Sequence, residues 1–335
     1  MAASPTQKPT PSAEVGHRPN PCAAALVAWA DAAPPFELPV TVAFSGGADS
    51  TALLLAAHER WPGGVVALHV HHGLQAAADG FEAHVRAQCQ HWGVPCHVAH
   101  IQARHAPGDS PEAAAREGRY RALADLASTV GASVVLLGHH ADDQVETFML
   151  ALSRGAGLPG LSAMPANLER HGVRMARPIL SVDPQSLRDW LAEQGVAVVQ
   201  DPTNDDTAFT RNRIRQGLLQ AWRRDFPAYA STVARSAEHA AQAQSLLDDL
   251  AVIDLQLLGV PPSISGLQTL SAARQSNAVR YWLRSEHAVA PSQAQLKALL
   301  VQIQACTTRG HHIALKVGPG LLERRGQLLQ YTAPL

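Results

Sequence analysis

Residues 42–51 read Val42-Ala43-Phe44-Ser45-Gly46-Gly47-Ala48-Asp49-Ser50-Thr51. They join an apolar run, which extends from Leu38 to Phe44, to a segment of good helix formers that begins at Thr51. Between the two, Gly46 and Gly47 allow a sharp turn and a close approach of the backbone to a ligand. Amide N–H groups and a helix N-terminus then face the same point, which is an arrangement that binds phosphate. The stretch therefore predicts a strand, a phosphate loop and a helix.

Two better-known phosphate loops do not fit this turn. The Walker sequence requires a lysine beside its hydroxyl residue, and the dinucleotide fingerprint requires three spaced glycines. Asp49 is unusual here because a carboxylate repels a phosphate unless a divalent cation lies between them. Asp49 therefore suggests bridging Mg²⁺, and the alternative is an ordinary glycine turn in which Asp49 caps the helix.

Strand and helix patterns alternate on both sides of this loop. Further apolar strands are predicted at Val65–His72, Cys96–Ile101 and Ser133–Gly138. Helices are predicted at Pro21–Ala33, Asp79–Trp92, Pro111–Val130, Ala141–Ser153 and Pro184–Gln194. This alternation is typical of an α/β fold with a doubly wound, mainly parallel sheet, whose ligands bind at the carboxyl ends of the strands.

The length of the chain favours two domains. It has 335 residues, 46% of them hydrophobic, which exceeds the usual size of one domain. We expect a disordered tail at residues 1–20, a catalytic domain at 21–224 and a smaller, mostly helical domain with short terminal strands at 225–335. The tail is rich in Pro, Ser, Thr and Ala and has no apolar segment typical of a signal peptide or a membrane helix. We therefore expect a cytoplasmic protein without a membrane partner.

Cysteine usage and charge exclude few functions. The four cysteines form no C-x-x-C pair and no Cys/His zinc spacing, so they are interpreted as reduced, mostly structural thiols. The formal net charge of −1 argues weakly against a nucleic-acid binder. Nearly all the positive charge is arginine, which suits bidentate contacts to phosphate, although a GC-rich genome explains the same bias.

Polar side chains follow the predicted strands. His69, His71 and His72 close the second strand, where they could bind a metal, line a nucleotide site or merely alternate across the sheet. Asp143 and Glu146 begin the helix after the fourth strand as i,i+3 neighbours. Two carboxylates near a triphosphate require Mg²⁺ or a cationic substrate.

Helix capping is the simpler explanation for one acidic residue of this segment, and we expect Asp142 to provide it. Two groups of arginines are candidate phosphate ligands, and solvated helix faces are the competing interpretation. They are Arg116 and Arg119, which lie beside Tyr120 on one predicted helix, and Arg211, Arg213 and Arg215 at the start of another.

The loop Ser45–Ser50 matches the S-G-G-x-D-S sequence of the N-type ATP pyrophosphatases, also called the PP-loop superfamily. Members of that superfamily cleave ATP between the α- and β-phosphates. The resemblance implies that the loop holds the pyrophosphate portion of ATP while a substrate oxygen is adenylated. The loop residues concerned are Ser45, Gly46, Gly47, Ala48, Asp49 and Ser50.

An ordered set of further motifs narrows the resemblance. Together with the loop they resemble the tRNA(Ile)-lysidine synthetase family, over about Leu38 to Arg224. The motifs are H-V-x-H-G-L at 69–74, E-A-A-A-R-x-x-R-Y at 112–120, G-H-H-x-D-D-Q-x-E-T at 138–147, R-G-x-G-x-x-G-L at 154–161, R-P-x-L at 177–180, D-P-T-N at 201–204 and R-N-R-I-R at 211–215.

The resemblance implies a two-step reaction on the wobble cytidine of tRNA(Ile) with the anticodon CAU. ATP would adenylate the C2 oxygen of the base, and the ε-amine of free L-lysine would then displace AMP to give lysidine. ATP and Mg²⁺ are the expected cofactors, and tRNA(Ile) and L-lysine are the expected partners. The C-terminal domain would bind the tRNA. The oligomeric state stays open, with a homodimer among the expected assemblies.

The resemblance also assigns roles to single residues. It implies that His71 and His139 contact ATP in addition to the loop, and that Asp49 also holds Mg²⁺. The other implied roles are catalysis by Asp49, Arg116 and Arg119, lysine recognition by Asp143 and Glu146, and tRNA binding by Arg211, Arg213 and Arg215.

One motif departs from the family pattern, and three rival functions remain. The family usually has H-V-N-H-G-L-R where this chain has His71 and Gln75, so the roles of these two positions stay open. A tRNA thiolase of the same superfamily would use catalytic or cluster-binding cysteines. An NAD or GMP synthetase would not need the D-P-T-N and R-N-R-I-R segments. A nucleotide-binding module would bind ATP without producing AMP.

Overall fold

The computed structural model describes residues 18–71, 78–101, 111–200, 206–207, 210–308 and 310–333. Two compact units can be recognised. The first comprises the described residues of Met1–Ala156 and Ala163–Ser236, and the second those of Gly157–Ser162 and Ala237–Leu335. Most of the predicted tail, residues 1–17, lies outside the described residues, whereas Asn20 is buried and donates to the Ala52 carbonyl. The division falls inside one long helix, and the predicted boundary at 224/225 precedes that helix.

A six-stranded sheet organises the first unit. Its strands are β1 (Val40–Ala43), β2 (Val65–His71), β3 (Cys96–His100), β4 (Val134–Leu136), β5 (Asn167–Arg170) and β6 (Val173–Ala176). The order across the sheet is β3-β2-β1-β4-β6-β5. All neighbours are parallel except β5, which pairs with β6 in the antiparallel sense. The predicted doubly wound, mainly parallel sheet is therefore confirmed.

Helices cover both faces of this sheet. Those of the first unit are α1 (Cys22–Ala32), α2 (Ala48–Arg60), α3 (Ala78–Trp92), α4 (Pro111–Thr129), α5 (Ala141–Ser153), α7 (Pro184–Glu193), α8 (Thr210–Arg213) and α9 (Leu219–Asp225). Alternate residues of β1, β2 and β4 point to opposite faces, as the period of a strand requires. On one face they pack with α1, α2 and α7, and on the other with α4.

The hairpin of β5 and β6 escaped the sequence prediction. β5 carries Glu169 and Arg170 and is not buried, and the buried strand β6 is short and interrupted by Arg174, so neither strand shows a continuous apolar run in the sequence. The turn between them has two successive residues with positive φ, His171 at 51° and Gly172 at 74°. Two such residues are typical of a tight type I′ turn, and Gly172 was the part of this turn visible in the sequence.

The long helix α10 (Tyr229–Leu258) runs from the first unit into the second. The second unit also contains α6 (Leu158–Leu161), α11 (Ile264–Thr269), α12 (Ala272–His287), α13 (Gln293–Ala305), and the strands β7 (Ala314–Val317), β8 (Gly320–Arg325) and β9 (Leu328–Thr332). These strands form an antiparallel sheet in the order β7-β8-β9. A separate apolar core surrounds Trp282. A helical C-terminal region with short terminal strands is thus present as predicted.

Among the residues that the structure describes, no helix is both long enough and apolar enough to cross a membrane.

Candidate active site

The phosphate loop lies between β1 and α2, at the carboxyl edge of the sheet. Gly46 has a φ of 84°, and a Cβ atom there would lie 3.2 Å from Val85 Cγ2 and 3.3 Å from Val199 Cγ2. Both the backbone conformation and the close packing therefore require glycine at this position. The loop is held between α3 and the segment that follows α7.

Hydroxyl groups fix the loop from within. Ser50 Oγ accepts from the backbone N–H of Ser45 at 3.2 Å and donates to the Gly47 carbonyl at 3.1 Å. Thr51 Oγ1 donates to the same carbonyl at 2.8 Å. Gly47 is the N-cap of α2, and no side chain caps this helix. The first amides of α2 thus stay available to an anion, and Asp49 is not the cap that the alternative interpretation required.

Gly138 brings the second motif against the loop. It follows β4, and a Cβ atom at this position would lie 3.1 Å from the backbone nitrogen of Ser50 and 3.3 Å from the carbonyl carbon of Asp49. Only a residue without a side chain allows this approach of two backbones. The next residues, His139 and His140, are consequently placed beside the start of α2.

Three titratable groups meet beside the loop. His140 Nε2 lies 3.6 Å from Asp49 Oδ2 and 3.5 Å from Asp143 Oδ2. Burial raises the pKa of Asp49. Burial would raise the pKa of Asp143 too, but His140, His139 and a hydrogen bond from the His140 backbone outweigh it and hold that pKa below its ordinary value. Asp49 Oδ1 and His140 Nδ1 are buried without a hydrogen-bond partner.

His139 belongs to a second network, which is centred on a buried arginine. Arg177 donates from Nε to His139 Nδ1 at 3.3 Å, from Nη1 to the Pro165 carbonyl at 2.7 Å and from Nη2 to Tyr120 Oη at 3.1 Å. Burial, assisted by nearby arginines, lowers the pKa of His139 to about 3. The ring is thus neutral at physiological pH. Because Nδ1 accepts from Arg177, the proton is on Nε2, which is then a donor.

Arg116, a predicted catalytic residue, joins this network through Tyr120. Its Nη2 donates to Tyr120 Oη at 3.2 Å. Burial would raise the pKa of Tyr120, but Arg116 and Arg177 outweigh it and lower that pKa. Arg119, the other predicted catalytic arginine of α4, is exposed.

The two predicted lysine-binding residues lie on α5, and one of them already holds a cation. Glu146 is fully buried and accepts from Arg215 at both oxygens, at 2.6 and 3.0 Å. Arg211 Nε approaches the same carboxylate at 3.5 Å. Arg215 also lies 3.6 Å from Asp143. Burial raises the pKa of Glu146, although Arg215 offsets part of that effect.

The three arginines predicted to bind tRNA separate into two groups. Arg211 and Arg215 are four residues apart, so they share a helix face, and that face contacts α5. Arg213 is exposed and donates to Thr210 Oγ1 at 2.9 Å and to the Thr207 carbonyl at 3.4 Å. A π-helical turn, Ile214–Leu218, follows α8 directly. In a helix, residues two positions apart point in different directions, so Arg213 does not share the face of Arg211 and Arg215.

His71 lies at the end of β2, where its Nε2 contacts Asp79 Oδ1 at 3.0 Å. The nearby His69 is buried and its Nδ1 lies 2.9 Å from the Phe44 carbonyl, directly before the loop. Burial lowers the pKa of His69. His72, Gln75 and the D-P-T-N segment fall outside the described residues.

The expectation that Asp142 caps α5 is wrong. The residue before the helix is His140, whose backbone N–H donates to Asp143 Oδ2 at 3.0 Å. Asp142 is buried instead, where it accepts from the Tyr229 hydroxyl and from Arg223. Asp142 therefore connects α5 to α9 and α10. Arg223 supplies the positive charge, and Tyr229 the additional hydrogen bond, that a buried carboxylate needs.

Arg177 and His140 were missed as site residues. Both occur in motifs that the sequence displays, and both follow a strand at the carboxyl edge of the sheet, β6 and β4. That position was the signal that could have identified them. No sequence signal indicated that Arg215 pairs with Glu146, because the two residues are far apart in the chain and meet only in the folded structure.

Comparisons with known proteins identify the family of this chain. Residues 32–222 match the PP-loop domain family, and residues 263–329 match the TilS substrate binding domain family. A tRNA(Ile)-lysidine synthase of Polaromonas naphthalenivorans is 57% identical over 295 residues, which cover 88% of this chain and 90% of that protein. A tRNA(Ile)-lysidine synthase of Burkholderia pseudomallei is 40% identical over 279 residues, which cover 81% of this chain and 57% of that longer protein.

A solved structure supports the fold alone. The U34-tRNA thiolase NcsA from Methanococcus maripaludis, with its [4Fe-4S] cluster, superposes with a TM-score of 0.52 at 16% sequence identity, over 60% of this chain and 72% of that one. In this chain, Cys22 and Cys89 are buried in the first unit and Cys306 belongs to the second. The described residues bring no three cysteines together.

Proposed function

The chain belongs to the tRNA(Ile)-lysidine synthase family, and from this membership we propose that it performs the family reaction on tRNA(Ile). In the first step the C2 oxygen of the wobble cytidine attacks the α-phosphorus of ATP, and pyrophosphate leaves. In the second step the neutral ε-amine of L-lysine attacks C2, and AMP leaves with the former C2 oxygen. The products are lysidine in the anticodon, AMP and pyrophosphate.

The observation that carries the proposal is the convergence of three features at one edge of the sheet. They are the free amides of α2, the unpartnered Oδ1 of Asp49 and the neutral imidazole of His139. The amides would bind the departing pyrophosphate, because the N-terminus of a helix stabilises an anion. His139 Nε2–H would donate to the nucleotide or to the base, in an orientation set by Arg177.

Mg²⁺ fits the residues at the start of α2. Asp49 Oδ1 is a buried oxygen without a hydrogen-bond partner, and Asp143 is close enough to share the same histidine contact. Oxygen donors of this kind are the ligands that Mg²⁺ prefers. When bound, the ion would neutralise charge on the phosphates. Burial raises the pKa of Asp49 because it disfavours the charged carboxylate, and a bound cation would stabilise that charge.

Lysine recognition by Asp143 and Glu146 requires a rearrangement. Arg215 occupies Glu146 with two hydrogen bonds, so the lysine ammonium can reach this carboxylate only after Arg215 withdraws. A phosphate of the tRNA would be a suitable new partner for that guanidinium. We therefore propose that lysine and Arg215 compete for Glu146.

The reaction can be tested with the full chain. The protein is incubated with α-labelled ATP, Mg²⁺, lysine and a tRNA(Ile) transcript with the anticodon CAU, and both AMP and tRNA-bound lysine are measured. We expect both products, and neither with an anticodon in which uridine replaces the cytidine. AMP without lysine in the tRNA would contradict the substrate assignment. ATP binding without AMP would instead indicate a nucleotide-binding module.

A further inference from the structure

A second cluster of reactive side chains lies at the edge of the sheet where β3 is the outermost strand. His71 ends β2 and His100 ends β3, and the two residues are direct partners in the parallel register. Their side chains therefore project from the same face of the sheet. The ring centroids are 4.9 Å apart, with 45° between the planes.

Helix α3 adds carboxylates to these two imidazoles. Asp79 and Glu82 are i,i+3 neighbours on one side of the helix. Asp79 Oδ1 lies 3.0 Å from His71 Nε2, and Glu82 Oε2 lies 2.8 Å from His100 Nε2. Ligand atoms of His71, Glu82 and His100 all lie within 4.8 Å of one another. Among the described residues, no other group of three such side chains converges in this way.

Two separate surface ion pairs would be the simpler explanation, and such pairs contribute little to stability. They do not explain why both pairs turn toward one point. Nor do they explain why the His71 and Glu82 side chains keep only 10% and 18% of their surface exposed while His100 keeps 63%. Two half-buried ligands and one ligand open to solvent are typical of a site that a metal ion enters from outside.

We propose that His71, Glu82 and His100 bind a divalent transition-metal ion of the Zn²⁺ type. Asp79, whose side chain is 92% exposed and lies outside this group of three, would turn toward the ion as a fourth ligand. In tetrahedral Zn²⁺ sites, metal to nitrogen or oxygen distances of about 2 Å place ligand atoms roughly 3.3 Å apart. The two imidazole to carboxylate distances, 3.0 and 2.8 Å, are close to that value. The ligand atoms of His71, Glu82 and His100, which lie within 4.8 Å of one another, would move closer together around an ion. Mg²⁺ is a poor candidate because it prefers oxygen ligands alone. This site is thus chemically distinct from the one at Asp49.

Arg86 supports the geometry of the carboxylate. It donates from Nε to Glu82 Oε1 at 2.8 Å, which leaves Oε2 for the histidines. Partners that orient a ligand in this way are common around metal sites.

A metal ion at this site would stabilise the side of the phosphate loop that is formed by α3. Helix α3 supplies two of the ligands, and one turn further on it places His84 and Val85 within 3.3 Å of the position of a Cβ on Gly46. An ion that joins α3 to β2 and β3 would therefore fix this side of the loop. Of the four side chains, only His71 was also assigned to ATP contact, and Asp79, Glu82 and His100 have no role in the reaction proposed above.

Direct binding tests the proposal. The full chain is prepared without an affinity tag and freed of metal. It is then titrated with Zn²⁺ by calorimetry and with Co²⁺ by visible absorption. We expect one ion per chain with the absorption of tetrahedral Co²⁺. We also expect that His100→Ala and His71→Asn each weaken binding roughly tenfold or more, as the loss of a protein ligand should.

His97→Ala is the matched control, because His97 lies on the same strand as His100 and is exposed. Its affinity for Zn²⁺ should equal that of the unmodified chain. Zn²⁺ should raise the melting temperature of the unmodified chain and of His97→Ala, but not that of His100→Ala. If one variant does not fold, Glu82→Gln provides the same comparison. Equal Zn²⁺ affinity in all variants, or no binding at all, would overturn the proposal.

Discussion

At the scale of single residues, the most informative contact joins Arg177 to His139. The guanidinium decides which ring nitrogen carries the proton, and burial keeps the ring neutral. A neutral histidine with a fixed donor is useful beside a triphosphate because it does not change its charge over the physiological pH range. Arg177 is thus a positioning residue, since it acts through His139.

We predict that Arg177→Met lowers kcat roughly 100-fold, because misplacement of a positioned group by about 1 Å has such an effect. Removal of the guanidinium also raises the pKa of His139, since Arg177 contributes to its depression. The acidic limb of the pH–rate profile should therefore move to higher pH, which a merely structural role would not produce.

Arg170→Met is the control for this variant, because the guanidinium carbon of Arg170 also lies over Tyr120, 4.7 Å from the ring centroid, but Arg170 donates to Glu117. Arg177→Lys, which keeps a positive charge, should retain the acidic limb of the unmodified chain while its rate falls. A pH profile that is the same in all three variants would contradict the assignment.

Glu146 provides the second prediction at this scale. Glu146→Gln keeps the shape of the side chain and removes its charge, so we expect KM for lysine to rise about tenfold or more, as the loss of a charge-assisted hydrogen bond implies. KM for ATP should change much less. Steady-state kinetics with each substrate varied in turn measures both values. Equal changes would remove Glu146 from lysine recognition, and Glu169→Gln, on the exposed hairpin strand β5, provides the baseline.

At the scale of elements, the turn between β1 and α2 determines where the anion site lies. We predict that Gly46→Ala destabilises the fold by more than the about 1–2 kcal/mol typical of a side chain in the left-handed region. The excess arises because the new Cβ meets Val85 and Val199. ATP affinity should fall with it. Urea unfolding and equilibrium ATP binding measure the two effects.

Gly63→Ala separates the two causes. Gly63 also has a positive φ, 72°, but a Cβ there meets nothing within 4 Å. It should show the backbone effect alone, with ATP affinity unchanged. If Gly46→Ala were no more damaging than Gly63→Ala, close packing around the loop would not matter for nucleotide binding.

The elements also show what the sequence could and could not predict. Helix α5 occupies the predicted residues Ala141–Ser153, because an apolar strand, a polar N-terminus and a glycine after the last turn all marked its limits. The β5–β6 hairpin was missed because β5 is an edge strand with charged side chains, and the buried strand β6 has only four residues, one of which is Arg174. Local patterns identified the loop, but the pair of Glu146 and Arg215 depends on tertiary packing, which no local pattern records.

At the scale of the whole molecule, the net charge of −1 gives no information about which arginines are free to contact a nucleic acid. Arg211 and Arg215 are engaged with α5, whereas Arg213 faces solvent. Recognition of tRNA in the first unit should therefore begin at Arg213. This order of contact agrees with the proposed release of Arg215 from Glu146 at a later stage.

We predict that Arg213→Gln weakens tRNA binding and reduces the slope of log K against log salt by about 1, the contribution of one phosphate contact. The weakening should be similar for tRNAs with other anticodons, since a phosphate contact carries no sequence information. Filter binding at several salt concentrations gives both quantities. Arg235→Gln, an exposed position on α10, serves as the control, and an unchanged slope in Arg213→Gln would exclude the contact.

The absence of a side chain at Gly138 has a further consequence for anyone who wishes to transplant this nucleotide site. The loop sequence alone would be an incomplete graft, because its first helical turn rests on a strand end that belongs to a different motif. A recipient sheet with alanine or a larger residue there would push the transplanted loop outward. The smallest portable unit of this site is therefore a pair of segments, and their separation along the chain is irrelevant to their cooperation.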